Sequence, residues 1–111
     1  MRRLLLVSQL LLTLVLLYPV GAVRADTGVV TAYCDYGYMA SGNWTHVGAA
    51  AGAWWLPLGS IVRVEGWGDV IVEDRGSASY TLDLWVPTCD QALQWGRRYP
   101  RIEVLRWGWC W

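Results

Sequence analysis

Two aspartates and three cysteines stand in this sequence where their chemistry is hard to ignore. Asp83 interrupts an apolar run, Leu82-Asp83-Leu84-Trp85. A carboxylate there is costly unless it is hydrogen-bonded or its pKa rises. A carboxyl with a raised pKa is what a general acid acting on a glycosidic oxygen requires. The plainer reading is that strand alternation turns Asp83 outward, or that it binds backbone amides. Asp74 sits where an apolar strand meets the turn Asp74-Arg75-Gly76.

The cysteines are Cys34, Cys89 and Cys110, with no Cys-x-x-Cys pair, and His46 is the single histidine. That set makes a zinc site a poor reading, so no metal and no cofactor are expected. Three cysteines give one bridge and one remainder. Cys110 lies beside the C-terminus, where chain ends fray, so Cys34–Cys89 is the favoured disulfide. Cys34–Cys110 and Cys89–Cys110 stay open.

An oxidising compartment is implied by the first residues. Met1-Arg2-Arg3 is followed by the apolar run Leu4 to Tyr18, then by Pro19, Gly21 and the small residues of Val23-Arg24-Ala25. This is the layout of a secretory signal peptide over residues 1–25, and its apolar stretch is short for a membrane span. The expected location is therefore secreted, extracellular or at a bacterial cell wall, with no stable span after cleavage.

Residues 26–111 then form one domain. Over the whole chain nine arginines balance nine carboxylates. Three of those arginines fall in the signal, leaving a net charge near −3. Such a surface disfavours nucleic acid. The size excludes multidomain enzymes and dinucleotide-binding units, and a monomer is expected. Lysine and phenylalanine are absent, yet there are nine tryptophans.

The elements that must position these residues are short strands between glycine-rich turns. Gly28 to Cys34 is apolar and β-branched. Val62 and Val64 alternate with Arg63 and Glu65 in Ile61–Glu65, and Gly66-Trp67-Gly68 reverses the chain into Val70–Glu73. Thr81–Val86 and Arg101–Trp107 are further strands. Ala49 to Trp55 carries no assignment. One helix is marked by Thr88 and Gln91 as a capping box, with Ala92, Leu93 and Trp95 as its apolar side and Gly96 at its end. Six strands and one short α-helix make a mainly all-β fold, a small β-barrel with a helical insert.

Several segments in order resemble a known family. They are Val30-Thr31-Ala32-Tyr33-Cys34, Met39 to Gly48, Leu56-Pro57-Leu58-Gly59-Ser60 and Gly66-Trp67-Gly68. Glu73-Asp74-Arg75-Gly76, Leu82-Asp83-Leu84-Trp85, Ala92 to Arg98 and Ile102 to Leu105 continue the match. Over roughly residues 29–105 the chain is similar to the 3D domain, named for three aspartates. This is a double-psi β-barrel of the RlpA and expansin type, found in the lytic transglycosylase MltA and in stationary-phase muralytic proteins.

The resemblance implies peptidoglycan glycan strands as partner and substrate. Asp83 matches the general acid/base that cleaves the bond between N-acetylmuramic acid and N-acetylglucosamine, leaving a 1,6-anhydro product. Asp74 matches the second aspartate, placed to position the sugar or Asp83. His46 matches a family histidine, with a sugar hydroxyl or Asp83 as its partner, although a lone histidine is more often a local hydrogen-bonding residue. Arg75 is a candidate contact for an acidic peptide stem.

One departure matters. The family's first aspartate is missing, and Ala51-Gly52-Ala53-Trp54-Trp55 holds its place without a carboxylate. Trp54 and Trp55 are therefore candidates to line a glycan groove. The alternative to an enzyme is a non-catalytic, expansin-like wall-binding module. Trp107, Trp109 and Trp111 alternate, so an extended tail would be either a glycan platform or a cover for the open end of the barrel.

Overall fold

The computed structural model describes residues 25–111. The expected signal peptide lies outside the described residues except for Ala25. Seven strands and one helix follow in the order β1 (Ala25–Thr27), β2 (Val30–Tyr33), β3 (Ala49–Gly52), β4 (Ile61–Val64), β5 (Gly68–Arg75), β6 (Leu82–Trp85), α1 (Cys89–Trp95) and β7 (Arg101–Arg106). They form one curled sheet ordered β1-β7-β4-β5-β3-β6-β2. The mainly β architecture matches expectation, with seven strands for the expected six; β1 and β3 lie outside the segments that were assigned to strands. Among the described residues no helix is long and apolar enough to cross a membrane.

The stretch expected to be one strand, Gly28 to Cys34, is one but shorter, with Val30–Tyr33 in β2. β1 pairs with β7, and β2 pairs in parallel with β6. Between them Gly28 is wedged so closely that a Cβ would lie 2.9 Å from Ile102 Cδ1. The β4–β5 hairpin turns where the glycines predict, with Gly66 at φ 78°. β5 runs on through Asp74 and Arg75, which were expected to end it.

The unassigned segment supplies an interior strand. β3, Ala49-Ala50-Ala51-Gly52, is buried throughout, with β5 parallel on one side and β6 antiparallel on the other. Its residues have little strand propensity, and packing selects them instead. A Cβ on Gly52 would lie 2.7 Å from Val72 Cγ1.

Leu82, Leu84, Val30, Ala50, Val72 and Val62 fill the core on one face of the sheet. Trp95 closes it from α1, donating its indole N–H to the Val30 carbonyl at 3.0 Å. Thr88 caps α1 by accepting the Gln91 N–H, and Gly96 ends it at φ 66°. Arg98 donates to the Trp95 and Gln94 carbonyls beyond the helix end. Leu93 is not on the apolar side: it is 80% exposed, because a seven-residue helix turns only one stripe, centred on Trp95, to the sheet. Cys34 and Cys89 are disulfide-bonded, tying the end of β2 to the start of α1, and Cys110 is free and exposed.

Candidate active site

The opposite face of β2, β6, β3 and β5 carries the polar groups. Thr31 on β2 pairs with Asp83 on β6, Asp83 pairs with Ala51 on β3, and Ala51 pairs with Asp74 on β5. Paired residues in a sheet project to the same side. The row Thr31–Asp83–Ala51–Asp74 therefore sets two carboxyls on one face, two strand spacings or roughly 10 Å apart at the backbone.

That placement depends on an irregularity. β3 and β5 are in register at Ala50–Val72, and the next pair is Ala51–Asp74, so Glu73 is an extra residue on β5. Simple alternation would put Asp74 on the core face with Val70 and Val72. The extra residue turns it to the face of Asp83. Asp74 Oδ1 then accepts two backbone N–H groups, from Ala40 at 3.0 Å and from Arg75 at 2.9 Å.

Asp83 is half-buried and accepts a hydrogen bond from the Thr31 hydroxyl at 2.9 Å. Burial pushes its carboxyl above the ordinary aspartate range; the Thr31 bond opposes this and the charge of Asp35 adds to it. Tyr33 lies two residues beyond Thr31 on β2, hence on the same face. Its hydroxyl is buried and has no hydrogen-bond partner among the described residues. Burial, then the charges of Asp74 and Asp83, hold that phenol far above its usual value. Burial also raises Tyr80, which feels both aspartates. Asp83 thus has an environment that favours a held proton, beside donors that stay protonated.

His46 stands apart from Asp83. Its ring Nε2 meets a Glu73 carboxylate oxygen, and Nδ1 meets the Val47 carbonyl at 2.8 Å. Both partners only accept, so both ring nitrogens are satisfied only as the imidazolium. The Val47 bond, and then Glu73, raise the His46 pKa against the opposing effect of burial. Glu73 is only 5% exposed, and it also accepts from Asn43 Nδ2 at 2.6 Å and the Ser41 hydroxyl at 3.3 Å. It anchors the whole 41–46 loop.

Arg75, next to Asp74, points elsewhere. Its guanidinium donates to the Leu56 carbonyl at 3.2 Å and the Cys110 carbonyl at 2.9 Å, pinning the C-terminal tail. Trp54 is 81% exposed, and with Trp55, Ser79 and Tyr80 it lines a cavity of about 210 Å³. Trp107 approaches Trp55 with ring centroids 6.3 Å apart.

The structure therefore brings Asp83 and Asp74 together on one face and leaves His46 and Arg75 bound to other partners. Thr31, Tyr33, Asp35, Glu73 and Tyr80 were not singled out by the sequence. The alternation of Thr31 and Tyr33 along a strand parallel to Asp83 is the signal that points to them, but it needs the pairing to be read.

Comparison with known proteins adds two relatives. Over 52 residues the chain is 40% identical to YabE of Bacillus subtilis (strain 168), named for cell wall shaping; this covers 45% of the chain and 13% of that protein. Over 52 residues it is 38% identical to the cell wall-binding protein YocH of the same organism, covering 45% of the chain and 18% of that protein. The match thus spans less than a fifth of either relative. No family model and no solved structure matches.

Proposed function

We propose that this chain is an exported cell-wall protein whose Asp83 face cleaves peptidoglycan glycan strands as a lytic transglycosylase. The observation that carries the reading is Asp83 itself, half-buried on the same sheet face as Asp74, with a carboxyl that burial pushes upward. The two cell-wall relatives and the Cys34–Cys89 disulfide support the compartment and the polymer.

In this reading the Asp83 carboxyl gives its proton to the bridging oxygen as the bond to muramic C1 breaks. The N-acetylglucosamine leaves with a free 4-hydroxyl. The Asp83 carboxylate then takes the proton of the muramic C6 hydroxyl as O6 bonds to C1. The proton is returned, no water is consumed, and one carboxylate serves both halves, unlike hydrolysis by a carboxylate pair. Asp74, fixed by two amides, orients the sugar.

A second reading is a binding module without cleavage. It is favoured by Ala51-Gly52-Ala53-Trp54-Trp55, which offers exposed aromatic surface where the resembled family has an aspartate. Incubating the purified protein with sacculi and searching by mass spectrometry for 1,6-anhydro muropeptides separates the two. Products that vanish in Asp83→Asn support cleavage. Pelleting with sacculi without products supports the binding module, and a protein that shows neither products nor pelleting ends the cell-wall reading.

A further inference from the structure

Away from the Asp83 row, the 40–43 loop and the C-terminal tail enclose a cleft of about 330 Å³. That volume is at the lower end of small-ligand sites. Apolar Leu58, Gly59 and Ile71 line it together with Ser41, Asn43, buried Glu73 and Trp109.

The aromatic lining is fixed in place. Trp109 N–H donates to the Leu58 carbonyl at 3.2 Å, and Gly108 N–H to the Ser60 hydroxyl at 2.9 Å. The six-membered ring rests on Gly59, where a Cβ would come within 2.5 Å of it. Gly59 has φ 91°, which suits glycine, so turn and ring fit each other by lacking a side chain. Even so Trp109 remains 74% exposed, an indole held rigid with most of its surface to solvent.

The cleft adjoins the carboxyl face. Ala40 lines the cleft while its N–H holds Asp74, and Glu73 is Asp74's neighbour in the chain. An aromatic face sharing a cleft with a compact set of hydroxyl, amide and carboxylate groups suits a ring that is apolar on its faces and polar at its rim. We propose that this cleft is a saccharide subsite, in which one N-acetylated hexosamine of the glycan strand stacks on Trp109 and turns its rim to Ser41 and Asn43. The inference rests on the glycan reading of the Asp83 face and extends it to a second, separate contact.

The test is pelleting of the purified protein with peptidoglycan sacculi, compared among wild type, Trp109→Ala, Trp109→Phe and Ala40→Phe, with folding checked by circular dichroism. Ala40→Phe adds bulk to a lining position of the cleft and leaves the sequence of the tail unchanged. Trp109→Ala and Ala40→Phe are expected to weaken binding about three- to tenfold, while Trp109→Phe stays within about threefold of wild type. Folded Trp109→Ala and Ala40→Phe proteins that pellet like wild type overturn the subsite and leave the Asp83 reading intact. A wild type that neither pellets nor cleaves overturns both. Should Trp109→Ala fail to fold, Ala40→Phe decides alone.

Discussion

Asp74 and Asp83 are cross-strand neighbours of one residue, Ala51, reached from β5 on one side and from β6 on the other. The two carboxyls belong to different strands, β5 and β6, and their relative position is set by β3 hydrogen-bonded between them. Sites held by such elements are more tightly fixed than sites on loops.

Asp83→Asn tests the cost of that placement. Burial raises the folded-state pKa of Asp83 above its unfolded value, so the ionised carboxylate destabilises the fold above that window. Below the unfolded value near 3.8 the side chain is protonated in both states and the cost disappears. Asparagine keeps an acceptor for Thr31. The variant should melt higher than wild type at pH 7, with the gap closing toward pH 3, while any glycan cleavage is lost. Thermal melts across that range are the check, and an Asn variant less stable at pH 7 contradicts the argument.

His46 has the opposite sign. Its folded pKa is raised, so its contribution is complete below the unfolded value near 6.5 and fades as pH rises through the folded value. Because the ring is partly exposed, the effect is small, below about 1 kcal/mol. His46→Gln should narrow the difference in melting temperature between pH 5.5 and pH 8.5. Equal pH profiles for variant and wild type would place the loop's pH response elsewhere.

Tyr33→Phe removes a buried hydroxyl that has no partner among the described residues. Losing an unsatisfied buried group stabilises by about 1 kcal/mol, or roughly 4–8 °C in a domain this small. Activity on sacculi measured in parallel shows whether that hydroxyl serves the aspartates beside it. A lower melting temperature would mean that the hydroxyl has a partner in solution.

The disulfide closes a long loop, with Cys34 and Cys89 separated by 55 residues. The double variant Cys34→Ser, Cys89→Ser should lose about 4 kcal/mol in a denaturant titration. Alkylating Cys110, which is exposed and free, should leave the midpoint unchanged.

How much of this was legible in the residues varies by physical cause. The β4–β5 hairpin and the caps of α1 rest on local rules, glycine in a turn and threonine before a helix, and both are found where those rules put them. β3 follows no local rule. Its glycine, Gly52, is demanded by the closeness of Val72 and Leu56, and its alanines are buried on every side, which are tertiary facts. Leu93 shows the reverse error, an apolar residue at helical spacing that the sheet does not reach. Asp83 stood out because it interrupts an apolar strand. Glu73 did not, because in an alternating strand it reads as an ordinary outward carboxylate, and only the register shows it to be buried.

That register shift has a further consequence. Glu73 is the residue that the shift sets aside, and it latches the loop through Ser41, Asn43 and His46. Deleting it would leave Asp74 directly after Val72, still on the face of Asp83 by plain alternation. What would go is the latch on the loop whose Ala40 amide steadies that aspartate. The direction of the carboxyl and the wall beside it are thus separable, and a one-residue deletion uncouples them.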